Sequence, residues 1–239
     1  MNIINFETLE STNTYAKSSI ENLTDRTVIS TNTQTAGRGR FTRSWVDLGS
    51  ENIYMSIVLK PSDEFSEVYS NLTQYLSVTL CKQLEEIGLE PQIKWPNDVL
   101  LNDKKVCGIL AETVFRGGKL KGIVLGIGIN LNAKQEALDK IDRPATAVNI
   151  EVGAEINKEE FMLQLLEKFF LCYNNLLEKG FPLIKEDYVK RASFLNQELE
   201  IAVFDKIRTG FSKDVDNNGA LVLMKSNGEI ETLNMGEII

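Results

Sequence analysis

The apolar pattern changes character along the chain, and the change divides it. Through the first two thirds, short β-rich runs alternate with stretches in which apolar residues recur every three or four positions. That mixture predicts a central sheet covered by helices rather than an all-α or all-β fold. Residues 26–33, 52–59, 92–95, 106–115 and 120–129 are the predicted strands, and 98–101 reads as the start of a further one. A Ser/Thr cap at Ser11 opens a predicted helix over 11–23. Leu72, Tyr75, Leu76, Leu80, Leu84 and Ile87 form a stripe that predicts a second helix within 66–87, stopped by Gly88. The clearest helix spans 158–179: Asn157 and Glu160 make an N-cap pattern, Phe161, Leu165, Phe169, Tyr173, Leu176 and Leu177 share a face, and Gly180 with Pro182 ends it. After a shorter helical stretch near 184–192 come brief strands separated by Asp216-Asn217-Asn218-Gly219 and Ser226-Asn227-Gly228, both hairpin-like turns. Two units are expected, an α/β body over 1–192 and a small β module over 193–239 packed directly on it.

Composition narrows the chemistry. The 239 residues hold 34 acids against 26 bases, a formal charge of -8, which argues against a broad DNA-binding or anionic-membrane surface. There is no histidine, so Ser-His and Cys-His nucleophile pairs, histidine bases and histidine-ligated zinc or haem are excluded. What remains is chemistry carried by Lys, Arg, carboxylates, amides and Mg²⁺. Cys81, Cys107 and Cys172 lie far apart with no CxxC pair, so neither a disulfide framework nor a metal site is indicated. The segment MNIINFETLE lacks a basic and apolar leader, and the longest apolar-plus-Gly run, 122–129, is too short to cross a bilayer. A cytoplasmic protein with no membrane partner is expected.

Four segments could carry chemistry. Residues 34–45 hold Arg38, Arg40 and Arg43 with no acid between them, and Gly37 and Gly39 let the backbone turn tightly against a ligand. The segment reads as an anion-binding loop, with a solvated flexible loop as the plain alternative. It is no P-loop, since nothing matches GxxxxGK[ST]. Lys94-Trp95-Pro96-Asn97-Asp98 forms a corner after a strand, and Pro96 restricts both itself and Trp95, which suits the orientation of Asn97 and Asp98. An ordinary turn would use the same residue types. Finally, Lys105 stands at the mouth of a strand with Gly108 inside it, and Gly126 and Gly128 thin a second strand that ends at Asn130. Side by side, two such strands would leave a slot lined by backbone, with a bulge at Gly108 as the plain alternative. Cys107, apolar on both sides and without a histidine partner, reads as inert core.

In motif, order and spacing, Glu10-Ser11-Thr12-Asn13, Gln34 to Arg40 with Arg43 and Trp45, Lys94 to Asp98, Lys105 to Leu110 and Gly126 to Asn130 resemble the biotin protein ligases. The resemblance extends to 236–238. It implies an α+β fold, a class II synthetase-like mixed sheet flanked by helices with a small C-terminal SH3-like β-barrel. It implies joining of biotin to ATP as biotinyl-5'-AMP, then transfer to a lysine of a biotin carboxyl carrier domain, with Mg²⁺ accompanying ATP. By that resemblance Ser11, Thr12, Asn13, Gln34, Arg38, Gly39, Arg40 and Lys105 bind biotin, and Trp45, Lys94, Asn97 and Asn130 hold ATP. Arg40 belongs to a loop that closes over the adenylate, and Lys105 contacts the biotin carboxylate and the α-phosphate, which makes these two the catalytic candidates. Asp98 either orders its corner or binds Mg²⁺ through water. Phe41 and Thr42 depart from the basic residue and glycine that many members carry, and no basic residue follows Glu237. With Ser11 so near the start, no helix-turn-helix repressor domain is expected and the chain should act as a ligase only, as monomer or homodimer. A lipoate or octanoyl transferase of related fold and a non-catalytic biotin sensor are the competing readings.

Overall fold

The structure is a computed structural model that describes residues 1–41, 43–62 and 64–239. Two sheets organise it. The larger has seven strands in the order β1-β2-β3-β7-β6-β5-β4, built from β1 (Asn2–Leu9), β2 (Thr27–Gln34), β3 (Ile53–Leu59), β4 (Gln92–Lys94), β5 (Asp98–Leu101), β6 (Lys104–Arg116) and β7 (Lys119–Ile129). β1 pairs with β2 in parallel and the other neighbours are antiparallel, so the sheet is mixed as expected.

Alternation along the strands assigns the two faces. Val28, Ile57, Ile123, Leu125 and Ile127 point into the main core beneath the helices α2 (Leu72–Glu86) and α5 (Lys158–Lys179). Their neighbours Ile29, Val58 and Val124 point the other way, against Ala16 and Ile20 in and just beyond α1 (Thr12–Ser18). α5 has the predicted bounds and cap, Asn157 Oδ1 accepting from Glu160 N–H at 3.0 Å, and Phe161, Leu165, Phe169, Tyr173 and Leu176 are buried.

The second sheet is antiparallel, with five strands in the order β11-β10-β9-β8-β12: β8 (Glu198–Val203), β9 (Lys206–Val215), β10 (Leu221–Met224), β11 (Ile230–Leu233) and β12 (Glu237–Ile238). The two predicted turns connect β9 to β10 and β10 to β11. Leu199, Ile201, Val215, Leu221 and Leu223 join the same core cluster as the body, so the module packs directly on it.

Four elements differ from expectation, two of them short helices that no apolar stripe announces, α3 (Gln135–Leu138) and α4 (Val148–Val152). The first helix stops at Ser18, where the serine hydroxyl donates to the Tyr15 carbonyl at 2.9 Å and Asn22 N–H closes a turn on the Ser19 carbonyl. Short polar side chains that bond the backbone locally compete with helix continuation. β1 escapes the pattern: in this half-exposed edge strand Ile3, Ile4, Phe6 and Leu9 do not alternate regularly with polar residues. Trp95-Pro96 is a cis peptide. Among the described residues, no helix is long and apolar enough to cross a membrane.

Candidate functional site

The site lies on the α1 face of the large sheet, and strand register explains why it is concave. Directly opposed residues share a face, which gives three rows: Val58-Val124-Glu112, then Ser56-Gly126-Leu110, then Tyr54-Gly128-Gly108. The first row continues the apolar packing under α1. In the next two, glycines remove the side chains and larger groups move in. A Cβ at Gly126 would overlap the Asn13 amide, and one at Gly128 would stand 2.5 Å from Cε2 of Trp45. The anticipated slot between thinned strands therefore exists, and the Trp45 indole lies across it.

Around this slot is a pocket of about 460 Å³. All twelve residues that the resemblance assigns to biotin or ATP line it, contributed by the start of α1, the 34–45 loop, the 94–98 corner and the ends of β6 and β7. At one end Ser11 caps α1, its hydroxyl accepting from Thr14 N–H at 3.4 Å, and Thr12 N–H donates to Oε1 of Gln34 at 2.9 Å. Gln34 is fixed in turn by its own N–H, which donates to Asp47 at 2.8 Å. Asn13 is committed to the protein: Nδ2 donates to Glu112 at 2.9 Å and to the Leu110 carbonyl at 3.2 Å, and Oδ1 lies 2.6 Å from Oγ of buried Ser56. Its side chain pins the start of α1 to the sheet.

The glycine-arginine segment turns back on itself through Gly39 N–H to the Arg43 carbonyl at 2.8 Å and Trp45 N–H to the Gly37 carbonyl at 2.9 Å. Gly37 is needed there, because a Cβ would meet the Trp45 carbonyl at 2.6 Å. Arg38 points toward α1 and Glu112; Arg40 points the opposite way, donating to the Gly236 carbonyl at 2.9 Å and reaching Oδ1 of Asn97 at 3.5 Å. Burial lowers the Arg40 pKa from its usual value, opposed by the charges of Asp98 and Glu237. Phe41 is exposed, sits at φ 57° and covers the Arg40 guanidinium, 5.1 Å from ring centre. Thr42 lies outside the described residues.

At the other end Lys105 Nζ is 2.7 Å from Asp98 and 5.4 Å from the centre of the Trp45 ring. Asn97 is held on β6, its Nδ2 donating to the Ile109 carbonyl while Ile109 N–H donates to its carbonyl at 3.1 Å. Asn130 Nδ2 donates to the Thr146 carbonyl at 2.9 Å, so this amide orders the 130–146 connection. Lys94 lines the same wall. Cys107 is fully buried and its thiol pKa is raised well above the ordinary value by burial, which fits inert core.

Sequence reasoning missed the 140–145 segment, which supplies Lys140, Asp142 and Arg143 to the rim, and missed Glu237, whose carboxylate accepts from Arg43 and, at 3.0 Å, from Arg143. No motif marks them: the segment is a polar loop whose place depends on backbone pairing of Lys105 with Pro144 and Thr146. In total the pocket lining carries seven Lys and Arg against three Asp and Glu, inside a chain of charge -8. Among the described residues no group of three or more His, Cys, Asp and Glu is placed to hold a metal ion.

An α+β domain whose glycine-walled sheet face carries a basic pocket is the class that fold and site define. The chain belongs to the biotin/lipoate A/B protein ligase family, whose sequence profile matches residues 5–130. It is 31% identical over 198 residues to the biotin-[acetyl-CoA-carboxylase] ligase of Paracoccus denitrificans, covering 80% of each chain. It is 29% identical over 209 residues to the bifunctional ligase/repressor BirA of Bacillus subtilis, where 87% of this chain spans 64% of that protein's length. Among solved structures, the Aquifex aeolicus biotin protein ligase in complex with biotin and ATP superimposes with a TM-score of 0.85 at 27% identity, covering 100% of this chain and 97% of that one.

Proposed function

We propose that this protein is an ATP-dependent biotin ligase, which activates biotin as biotinyl-5'-AMP and transfers it to a lysine of a biotin carboxyl carrier protein or domain. The observation that carries the reading is the basic pocket, with neutral hydrogen-bonding groups and Arg38 at its α1 end and further cations along the rest. The nucleophile of the first step is a carboxylate, ionised at neutral pH, so no general base is required. The barrier lies in bringing two anions together and stabilising charge on the phosphates, which fixed cations can do. The lack of histidine is compatible with that chemistry.

In this reading Ser11, Thr12, Gln34 and Gly39 receive biotin, Asn13 supports them from behind, and Arg38 faces the biotin carboxylate. Lys105, between Asp98 and the Trp45 ring, meets the carboxylate and the α-phosphate. Arg40 closes the loop over the adenylate and excludes water from a hydrolysable anhydride. Trp45, Lys94 and Asn97 hold ATP, with Asn130 shaping the wall behind them. Mg²⁺ would arrive on the nucleotide phosphates, the usual mode for this ion, with Asp98 as the carboxylate at hand. It would supply charge neutralisation at the phosphates.

The two units of the expected division act together in this reading, 1–192 supplying most of the pocket and 193–239 closing its rim through Gly236 and Glu237. A cytoplasmic location with no DNA or membrane partner belongs to the same proposal. Labelled biotin, ATP and a carrier domain provide the test. Biotin on the carrier with release of pyrophosphate is the expected result; transfer of lipoate but not biotin, or biotin binding without pyrophosphate release, would overturn it.

A further inference from the structure

Glu112 stands on β6 one row beyond the pocket, behind its wall rather than in it. Its carboxylate gathers partners from separate elements: Lys17 of α1 at 2.6 Å, Asn13 at the start of α1 at 2.9 Å, and Arg38 of the glycine-arginine loop at 3.2 Å. The side chain is only 17% exposed. Burial alone would raise its carboxyl pKa, but hydrogen bonds from Lys17 and Asn13 and the charges of Lys17 and Arg38 outweigh this and hold it below the ordinary value. It is therefore an ionised acid at neutral pH.

An ionised acid beside a pocket for anions has the wrong sign for binding, which calls for a reason. Lys17 provides it. With Lys17 closest, the group of Lys17, Glu112 and Arg38 keeps a net single positive charge, and the half-exposed Arg38 guanidinium is where that charge faces the pocket. Arg38 is thus held in place without being cancelled, while the same carboxylate fixes the Asn13 amide under α1. Preorganised charge of this kind avoids ordering a long flexible side chain at the moment of binding.

Resting on the reading of the pocket as a biotin site, we infer that Glu112 is a positioning residue for biotin, acting through Arg38, with Lys17 as the counter-ion that leaves Arg38 free to meet an anion. The test is a double-mutant cycle of Glu112→Gln and Arg38→Ala in the full chain, with biotin KM, ATP KM and kcat read from labelled-biotin transfer to a carrier domain. Biotin Kd comes from calorimetry and folding from thermal melting. Gln keeps an acceptor for Asn13 and removes only the charge. Glu112→Gln is expected to raise biotin KM about tenfold, the scale of a coupled pair, with a much smaller change in kcat and in ATP KM. In the Arg38→Ala background it should add less than about twofold. The same tenfold rise with and without Arg38, an equal rise in ATP KM, or no rise at all would overturn the inference. Should Glu112→Gln fail to fold, Lys17→Met and Lys17→Arg carry the test: Met leaves Glu112 to cancel Arg38 and should raise biotin KM, and Arg should restore it; equal behaviour of the two overturns the inference. A wild-type chain that transfers no biotin would overturn the underlying reading, whereas an active wild type with an additive cycle would remove the role of Glu112 alone.

Discussion

The Arg40 guanidinium donates to the carbonyl of Gly236 at 2.9 Å, across 196 positions of sequence, and so ties the glycine-arginine loop to the C-terminal sheet. Next to it, Arg43 and Arg143 share the Glu237 carboxylate. Burial opposes ionisation of that carboxyl, and the bonds and charges of the two arginines overcome it, so its pKa falls below the ordinary value. Glu237→Gln removes the charge that gathers both arginines. The expected outcome is faster escape of biotinyl-AMP, by a factor of about three to five for two half-exposed ion pairs, with biotin affinity little changed. Retention of the labelled intermediate through rapid gel filtration measures it; unchanged retention would detach the C-terminal sheet from loop closure.

Lys105 should act on the chemical step more than on binding. Its ammonium is held beside Asp98 and over Trp45, and in the proposed reaction charge develops there as the carboxylate attacks. Lys105→Ala is expected to slow biotin-dependent pyrophosphate exchange by about 10²–10³, the usual loss when one electrostatic donor is removed. Calorimetric biotin affinity should fall by far less, and equal losses in both would deny Lys105 its role at the α-phosphate.

The two glycines of β7 make separable predictions. Gly126→Ala pushes on an Asn13 amide that is boxed in by Ser56, Leu110 and Glu112, so about 1–3 kcal/mol of stability should go, together with a higher biotin KM. Gly128→Ala pushes on the indole of Trp45 instead, which can swing into the pocket, so ATP KM should rise with a smaller loss of stability. Urea unfolding alongside steady-state kinetics distinguishes them.

Stability should be flat across neutral pH and fall on both sides. Glu112, Asp187 and Glu237 have depressed pKa values in the fold; burial pushes each up, and cationic partners more than compensate. Their contribution is complete above the unfolded carboxylate range near about 4 and is lost as pH drops through the lower folded values. The Cys81 thiol is pushed up to about 12 and that of Cys107 well above its ordinary value, both by burial. These groups favour the fold below the unfolded thiol value of about 8.5 and cease to do so as pH climbs past it. With no histidine to titrate between, melting temperature should hold steady from about pH 5 to about pH 8. A step in calorimetric melting near pH 6.5 would contradict this.

Legibility followed the range of the interactions. The long helix α5 was readable to its bounds because its cap and its apolar face are local, and the Gly126-Gly128 strand announced its close approach because only a missing side chain admits one. The residues around the pocket were readable because they sit in compact motifs. The partners that fix them were not. Glu112 looks like any polar position in a strand, Ser56 like any small one, and Arg143 like part of a surface loop; each matters through strand register or a tertiary contact no local pattern encodes. Asn13 and Asn130 show the converse, since their motif positions were plain while the direction of their amides, into the protein, was not.

Both tryptophans of this chain, Trp45 and Trp95, line the same pocket, one lying across the glycine slot and the other buried in the 94–98 corner. The protein's long-wavelength fluorescence therefore originates at its site and nowhere else. Trp45 also lies under the Lys105 ammonium, so any movement of that charge toward a phosphate alters the emission of the ring beneath it. On the proposed reading the chain thus carries an optical reporter of its own occupancy, one that can follow binding and closure in real time without a label.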